Sequence, residues 1–312
     1  MAVTLDDLAA VERALAETFP TLAVVPLELV DKGFGAITVK TRDGVIFRIA
    51  RHARAAAGHA REAALLPALG SRVPSPVPAP LWRIEPGSLD FRHGAIGYRR
   101  LPGESLAPHL LPQYDLPQYD VQTLAAEIAA FLAALHDFPI AEAERLGVPH
   151  SDGERPKFEN LRAVVMPFLR DVLTIQEYDR LDKWSDYFLA DDHIDLFAPA
   201  LRHGDLWFGN VLIDKGTGQL AGVLDWEAAA IGDPASDISR QLHLGETFFE
   251  AVLEAYETFR PTPDHSLRHR AWRRWELLEF AGIQTAMELG DAEELTESIE
   301  KLRAGPILAS TG

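Results

Sequence analysis

The feature that most narrows what this chain can become is the segment HGDLWFGNVLIDKGTGQLAGVLD, residues 203–225. His203, Asp205 and Asn210 stand in H-x-D-x-x-x-x-N spacing, and Asp225 follows twenty residues after Asp205. Between Asn210 and Asp225 lie two short apolar runs, VLID and LAGVL, joined by the turn sequence KGTGQ. That pattern predicts a β-hairpin whose return strand brings a second carboxylate back beside the first. A base flanked by two hard oxygen donors, Asn210 and Asp225, is what phosphoryl transfer at a Mg²⁺-bound phosphate requires. Mg²⁺ takes few protein ligands and leaves its other positions to phosphates and water. Singly these residues would be ordinary, since an aspartate before an aromatic or at a strand end is usually a turn or cap. In order on one hairpin they point to chemistry.

The chain has 312 residues, enough for two lobes. Residues 25–50 read as strands and turns: VPLELV, the glycine-bearing DKGFGAITVK, then TRDG leading into VIFRIA. The Asp43-Gly44 pair is a hairpin signal. Val45, Phe47 and Ile49 share one face of the last strand, so Arg48 points the other way. A helix is predicted over roughly 53–69, with Glu62 inside it, fourteen residues beyond Arg48. The four prolines of SRVPSPVPAP (71–80) exclude regular helix or central strand. Because the strand-like runs LWRIE and GAIGYRRLPG follow, that stretch reads as a connection within one lobe. From about residue 106 the character turns helical, as in VQTLAAEIAAFLAALHDF (121–138). The tandem LPQYDLPQYD (111–120) is too short for a solenoid and reads as a lengthened surface loop. Thr4 and Asp7 suggest a capping-box-like start to an N-terminal amphipathic helix. The outline is a small β-rich lobe and a larger helical one, with chemistry at their junction.

HGDLWFGNVLID…GVLDWEAAAIGDPASDIS resembles the aminoglycoside phosphotransferase family, kinase-like enzymes that modify small-molecule antibiotics, and the likeness covers most of the chain. The resemblance implies an α+β, bilobal protein-kinase-like fold, with a nucleotide-binding lobe over 1–100 and a C-terminal lobe over 101–312 that holds the catalytic loop, metal site and substrate helices. It implies Asp205 as catalytic base, Asn210 and Asp225 as Mg²⁺ ligands, His203 as scaffold and Asp237 as the buried acid bracing the loop. Asp233-Pro234 is expected to shape a turn. Arg48 stands where kinases carry the phosphate-clamping lysine, and Glu62 where the pairing acid is expected; a guanidinium fork suits both partners. Gly33 and Gly35, in GFGAITV, would lie in the nucleotide-covering loop. Arg99 and Leu101, in GYRRLPGESL, would lie in the hinge that meets the nucleobase. No GxxxxGK[ST] loop is present, so the phosphates of ATP or GTP must be held otherwise.

FRIARHAR, GYRRLPGESLAPHLLP and FLAALH are most similar to the 2''-aminoglycoside phosphotransferase branch and its macrolide relatives. HGDLW also occurs in fructosamine kinases, but DWEAAAIGDPASD is unlike their corresponding segment. Aminoglycosides are polycations, so acids are expected around the acceptor. Glu276, Glu279, Glu288, Asp291, Glu293 and Glu294 are available, with Trp272 and Trp275 as walls for sugar rings. The formal net charge of −17 suits a cationic small molecule and disfavours nucleic acid or an anionic membrane. With no cysteine, neither disulfides nor thiolate zinc sites are open to the chain. The N-terminal stretch has neither a basic n-region nor a long apolar run, so a cytoplasmic, monomeric enzyme is expected. A macrolide kinase, a metabolic sugar or amino-alcohol kinase, and a nucleotide-binding pseudokinase remain as alternatives. Trp207 and Phe208 are expected to stiffen the loop or line the acceptor pocket without taking part in chemistry.

Overall fold

The structure, a computed structural model, describes residues 7–33, 35–88, 91–106 and 121–309. Thr4 and the tandem repeat at 111–120 fall outside the described residues.

Helix α1 (Leu8–Thr18) starts at Asp7, whose carboxylate accepts from the Ala10 N–H at 3.1 Å. Val11, Ala14 and Leu15 recur at helical spacing and are buried. They cover a five-stranded sheet made of β1 (Glu28–Lys32), β2 (Ala36–Lys40), β3 (Val45–Ala50), β4 (Trp82–Ile84) and β5 (Ala95–Arg99). The order is β1-β2-β3-β5-β4, and every pairing is antiparallel. The β2–β3 turn is the one Asp43-Gly44 predicts, with Gly44 at a φ of 80°. On β3 the alternation has a physical consequence. Phe47 faces α1, stacking at 5.3 Å on Phe19, while Arg48 faces helix α2 (Ala53–Leu69) on the other side of the sheet. Opposite Phe47, a Cβ on Gly97 would come within 2.5 Å of the phenyl ring, so the strand partner must be glycine.

Leu65, Leu66 and Leu69 of α2 leave this sheet and join the core of the larger part of the molecule. The proline run 71–80 connects α2 to β4, as expected within one lobe, but it also packs across. Val77 is buried in that larger core, and the Pro76 carbonyl accepts from Val223 N–H at 3.0 Å.

The rest of the described chain is mainly helical. One core is built on α3 (Val121–His136) and α8 (Glu246–Thr258), with α4 (Ile140–Arg145) alongside. Against it lie two small antiparallel sheets: β7 (Ala200–Arg202) with β10 (Ala230–Gly232), and β6 (Glu104–Ser105) with the hairpin β8 (Val211–Ile213) and β9 (Leu220–Val223). A second core joins α5 (Glu154–Val172), α6 (Ile175–Leu189), α10 (Leu278–Leu289) and α11 (Ala292–Ala304) around Phe158, Phe188 and Phe280. Helices α7 (Ala235–Ser239) and α9 (Leu267–Glu276) pack into the first core through Ala235, Ile238, Leu267 and Ala271. The fold is the kinase-like α+β arrangement, a small antiparallel sheet beside a larger helical part. No helix among the described residues is long and apolar enough to cross a membrane.

Candidate active site

The loop after β7 is fastened from below by one buried carboxylate. Asp237, on α7, is fully buried and accepts from the backbone N–H groups of His203 and Gly204, each at 2.8 Å. His136 Nε2 donates to it at 3.3 Å, and His136 Nδ1 in turn accepts from the Tyr256 hydroxyl at 2.8 Å. Burial alone would push the Asp237 carboxyl up. The His136 hydrogen bond, with the neighbouring His203 and the Gly204 N–H, more than reverses that, holding it at about 2. Gln241 adds two amide bonds, to the Leu206 and Asp237 carbonyls. Gly204 has a φ of 86°, and a Cβ there would meet the Ala228 carbonyl oxygen at 2.4 Å, so this corner admits only glycine.

Above that base the polar residues of 203–210 divide the work. His203 donates from Nε2 to the Leu224 carbonyl at 2.8 Å and accepts at Nδ1 from the Asp205 N–H at 3.2 Å. It therefore ties the loop to the far arm of the hairpin. Asn210 donates from Nδ2 to the Asp205 carbonyl at 2.9 Å, which leaves its Oδ1 as the oxygen open to a cation. The Leu224 N–H bonds to the Asn210 carbonyl at 2.8 Å, extending the β8–β9 pairing and bringing Asp225 next to Asn210. Asp225 is the sole non-glycine residue with positive φ, 59°, among the described residues. That strained conformation is of a kind that persists where surrounding structure holds it. Asp205 is partly exposed and meets Arg240 at 3.1 Å. Burial raises its carboxyl pKa, and the Arg240 charge opposes the rise.

The second group of charges centres on Arg48. Its Nη1 donates to both Glu62 oxygens, at 2.7 and 2.9 Å, and its Nη2 reaches Asp225 at 3.0 Å and Glu227 at 3.2 Å. Burial works against the Arg48 charge, but Glu62 and then Asp225 more than compensate, so its pKa is raised. A planar fork serves these directions together, which a lysine ammonium, a point charge on a flexible stem, is less suited to do. Burial pushes Glu62 up, with Arg48 opposing. Glu227 was absent from the expected set, although it lies in the DWE stretch. Its room is made by two glycines: a Cβ on Gly58 would sit 2.7 Å from Glu227 Cγ, and one on Gly35 would lie 3.4 Å from its carboxylate. A glycine in the middle of a helix, as in AAAGHA, was the available signal. His59 is buried beside Arg48 with neither ring nitrogen hydrogen-bonded, and burial together with Arg48 pushes it down to about 3.

The glycine loop is tied to the end of β3, where Arg51 donates from its side chain to the Gly33 carbonyl and from its backbone to the Gly35 carbonyl. Leu101 lines a cleft of about 250 Å³ between the sheet and the hairpin, with Val30, Ile46, Tyr98, Leu212 and Leu224 as its apolar walls. The Arg99 side chain turns away from that cleft, donating to the Asp43 carbonyl at 2.9 Å and lying over Trp82.

On the other side of the loop, Trp207, Phe208 and Trp275 converge on His243, whose ring lies 4.8 Å from Trp275 and 5.9 Å from Phe208. The Trp207 indole covers Gly209, where a Cβ would approach it to 2.6 Å. Trp272, Glu276 and Glu279 make their contacts elsewhere. Trp272 packs on Phe249 in the helical core. Glu276 accepts from Trp184 at 3.2 Å and from Arg273 at 3.0 Å. Glu279 is half-buried near Lys301, with burial raising its pKa. Among the other acids, Asp291 caps α11 and Glu288 accepts from Gln284. Asp233 is buried, pairs with Arg270 at 3.0 and 3.1 Å, and accepts from the Ala235 N–H at 2.9 Å.

Known proteins share this architecture. An uncharacterized protein, YcbJ of Bacillus subtilis (strain 168), is 30% identical over 190 residues, a match spanning 57% of this chain and 56% of that protein. The GDP and kanamycin complex of APH(2")-IIia superimposes with a TM-score of 0.82 at 24% identity, over 93% of this chain and 95% of that one. A macrolide 2'-phosphotransferase type I gives a TM-score of 0.73 at 26% identity, over 97% of this chain and 98% of that one. The family model described as the phosphotransferase enzyme family matches residues 27–278, a span that includes Arg48, the loop at 203–210, Asp225 and Asp237. This chain belongs to the phosphotransferase enzyme family.

Proposed function

We propose that this protein transfers the γ-phosphoryl group of ATP or GTP to a hydroxyl of a small-molecule acceptor, with Asp205 as the base. The observation that carries the reading is the 3.0 Å ion pair between Arg48 and Asp225. It draws a cation from the small sheet onto the hairpin that also bears Asn210, so that groups 177 residues apart in the chain meet at one spot. Glu62 holds Nη1 from behind, while Nη2 is shared by Asp225 and Glu227 and would engage a phosphate oxygen by exchanging one of these carboxylates for it.

The donor set fits Mg²⁺: Asn210 Oδ1 and the Asp225 carboxylate are hard oxygens, and a bound Mg²⁺ would neutralise phosphate charge. The nucleobase would enter the apolar cleft beside Leu101. The acceptor oxygen attacks the γ-phosphorus as its proton passes to Asp205, and the bond from that phosphorus to the β-phosphate oxygen breaks. Asp205 must be ionised to do this. Arg240, 3.1 Å away, favours that state against the effect of burial. Catalysis of this kind rests on positioning and electrostatics rather than on covalent chemistry by the protein.

Kanamycin and macrolides appear in the names of similar structures, so aminoglycosides and macrolides are the first acceptors to test. The experiment is a panel of both classes together with hydroxyl-bearing metabolites, each offered with Mg·ATP and with Mg·GTP. Phosphorylated product from at least one acceptor is expected. Nucleotide binding without transfer to any acceptor would support a binding protein instead.

A further inference from the structure

A cavity of about 200 Å³ opens beside Asp205, between the catalytic loop and helices α5, α7 and α9. Gly204 and Arg240 form its near wall, and Arg240 is the residue that touches Asp205. Lys157, Arg202 and Arg274 complete a set of four cations, against which Glu154 is the single lining carboxylate. Glu154 is already divided, with Arg274 at 2.6 Å and Lys157 at 3.5 Å on the same oxygen. Asp233 lies 3.4 Å from Arg274 but is bound more closely by Arg270. Arg202 is the telling member. It is 7% exposed, forms no ion pair among the described residues, and its Nε has no hydrogen-bond partner. Its Nη1 donates to the Ser236 hydroxyl at 3.3 Å. Burial and the Arg274 charge lower the Arg202 pKa, with Asp237, Glu154 and Asp233 opposing from beyond ion-pair distance, and burial followed by the Arg202 and Arg274 charges lowers that of Lys157, with Glu154 opposing. A buried guanidinium with no directly paired carboxylate and an unbonded Nε, beside two more cations, is unfavourable unless something else completes it.

We propose that this cavity is an oxyanion subsite, and that the acceptor carries a carboxylate or phosphate group which docks on Lys157, Arg202 and Arg274 while its hydroxyl meets Asp205. This rests on the phosphotransferase reading and names the acceptor class for the same cleft. The substrate is a small hydroxy acid or a phosphorylated alcohol, in place of the polycation that the overall charge suggests. The cavity admits a compact anionic head group, and Phe158 and Leu277 provide an apolar wall for its carbon chain. Recognition through charge-assisted bonds would reject the neutral analogue, because its binding would leave the buried cations unmatched.

Two arms test this. Sulfate is titrated calorimetrically into protein saturated with Mg·ADP, for the wild type, Lys157→Gln and Lys157→Arg. The Lys157 side chain is 41% exposed, so its replacement leaves the fold intact. Wild type and Lys157→Arg are expected to bind one sulfate, with Lys157→Gln weaker by about tenfold. No sulfate binding, or binding indifferent to Lys157→Gln, overturns the subsite. Failure of Mg·ADP itself to bind would count against the kinase reading, and sulfate titrated into nucleotide-free protein would still decide the subsite by the same comparison of variants. In the second arm, hydroxy acids and alcohol phosphates of three to six carbons compete with their amides, their dephosphorylated forms and aminoglycosides. The anionic member of each pair is expected to show the lower KM, and Lys157→Gln to raise that KM with kcat largely kept. Sulfate binding without that preference assigns the subsite to a free anion and overturns the acceptor class, as does preferential turnover of aminoglycosides.

Discussion

On the proposed nucleotide side of the cleft one cation, Arg48, meets three carboxylates, Glu62, Asp225 and Glu227. On the proposed acceptor side four cations line a cavity whose lining includes one carboxylate. The first cluster carries an excess of carboxylate; in the second, Arg240 and Arg274 have carboxylate partners, while Arg202 has no ion pair among the described residues and its Nε is unbonded. Charges held close together away from water are unfavourable unless matched, so each imbalance marks where a ligand's charge belongs. The excess carboxylate suits a divalent cation on its way to phosphate oxygens; the excess guanidinium and ammonium suit an oxyanion. Asp205 sits between them, ion-paired to the acceptor-side Arg240 and bonded through its carbonyl to Asn210 of the nucleotide side.

Removing the group between the two clusters is the most damaging change. Asp205→Asn keeps the shape and the Asn210 bond to the backbone, but cannot accept a proton. We expect a loss of about 10²–10⁴ in kcat, with nucleotide affinity little changed, measured by steady-state kinetics and calorimetry. Unaltered turnover would remove Asp205 from the role of base. Asp225→Ala acts on the nucleotide cluster alone. It takes away one hard oxygen donor and should lower the affinity for Mg·nucleotide by about 10–100-fold, while affinity for nucleotide in EDTA changes much less. Equal losses with and without Mg²⁺ would make Asp225 a structural partner of Arg48 only.

A smaller effect separates the clusters by pH. Arg240 favours ionised Asp205, while burial disfavours it. In Arg240→Gln the largest opposing influence is lost while burial and the Asp225 and Asp237 charges remain, so the Asp205 pKa rises further above the ordinary aspartate value. Catalysis needs the ionised form and is lost as pH falls through that pKa. The acid limb of kcat/KM should therefore move to higher pH, with the alkaline side unchanged. A limb that stays in place, or moves to lower pH, would show that Arg240 does not tune the base.

The extent to which these clusters can be read in the sequence follows from how local each one is. The hairpin and the positions of Asn210 and Asp225 on it are set by apolar runs and a turn within a short stretch, and they form as the spacing predicts. Helix α2 likewise spans Ala53–Leu69, and the Arg48–Glu62 pair forms where the family resemblance, supported by strand alternation, implies it. Glu227 and Arg240 were not legible, because their roles depend on how α2 and α7 dock, which no local pattern specifies. The same holds for the acids of the last helices. Their number is plain in the sequence, but Glu276 and Asp291 turn out to be engaged by Arg273 and by the start of α11. Net charge is no guide to a single cavity for a related reason. An average of −17 over the whole surface says nothing about the sign of one cavity formed where two cores meet.

Trp207 belongs to neither charge cluster, and it makes the sharpest control for the comparison. Its ring is 37% exposed, lies 4.7 Å from Phe208 and 6.2 Å from His243, and covers Gly209. The loop beneath is fixed independently of it, by Asp237 on two backbone N–H groups and by Gln241 on the Leu206 carbonyl. An imidazole at this position would keep a planar face toward Phe208 and add no fixed charge near neutral pH, since an unperturbed histidine titrates at about 6.5. Trp207→His is therefore expected to change kcat by no more than about twofold above pH 7.5, the small change usual for surface substitutions away from buried features. A large drop in kcat would mean that the indole holds the acceptor over Asp205. The aromatic group of Trp207, Phe208, His243 and Trp275 would then be the third element of the cleft, selecting the acceptor by shape where the basic cavity selects it by charge.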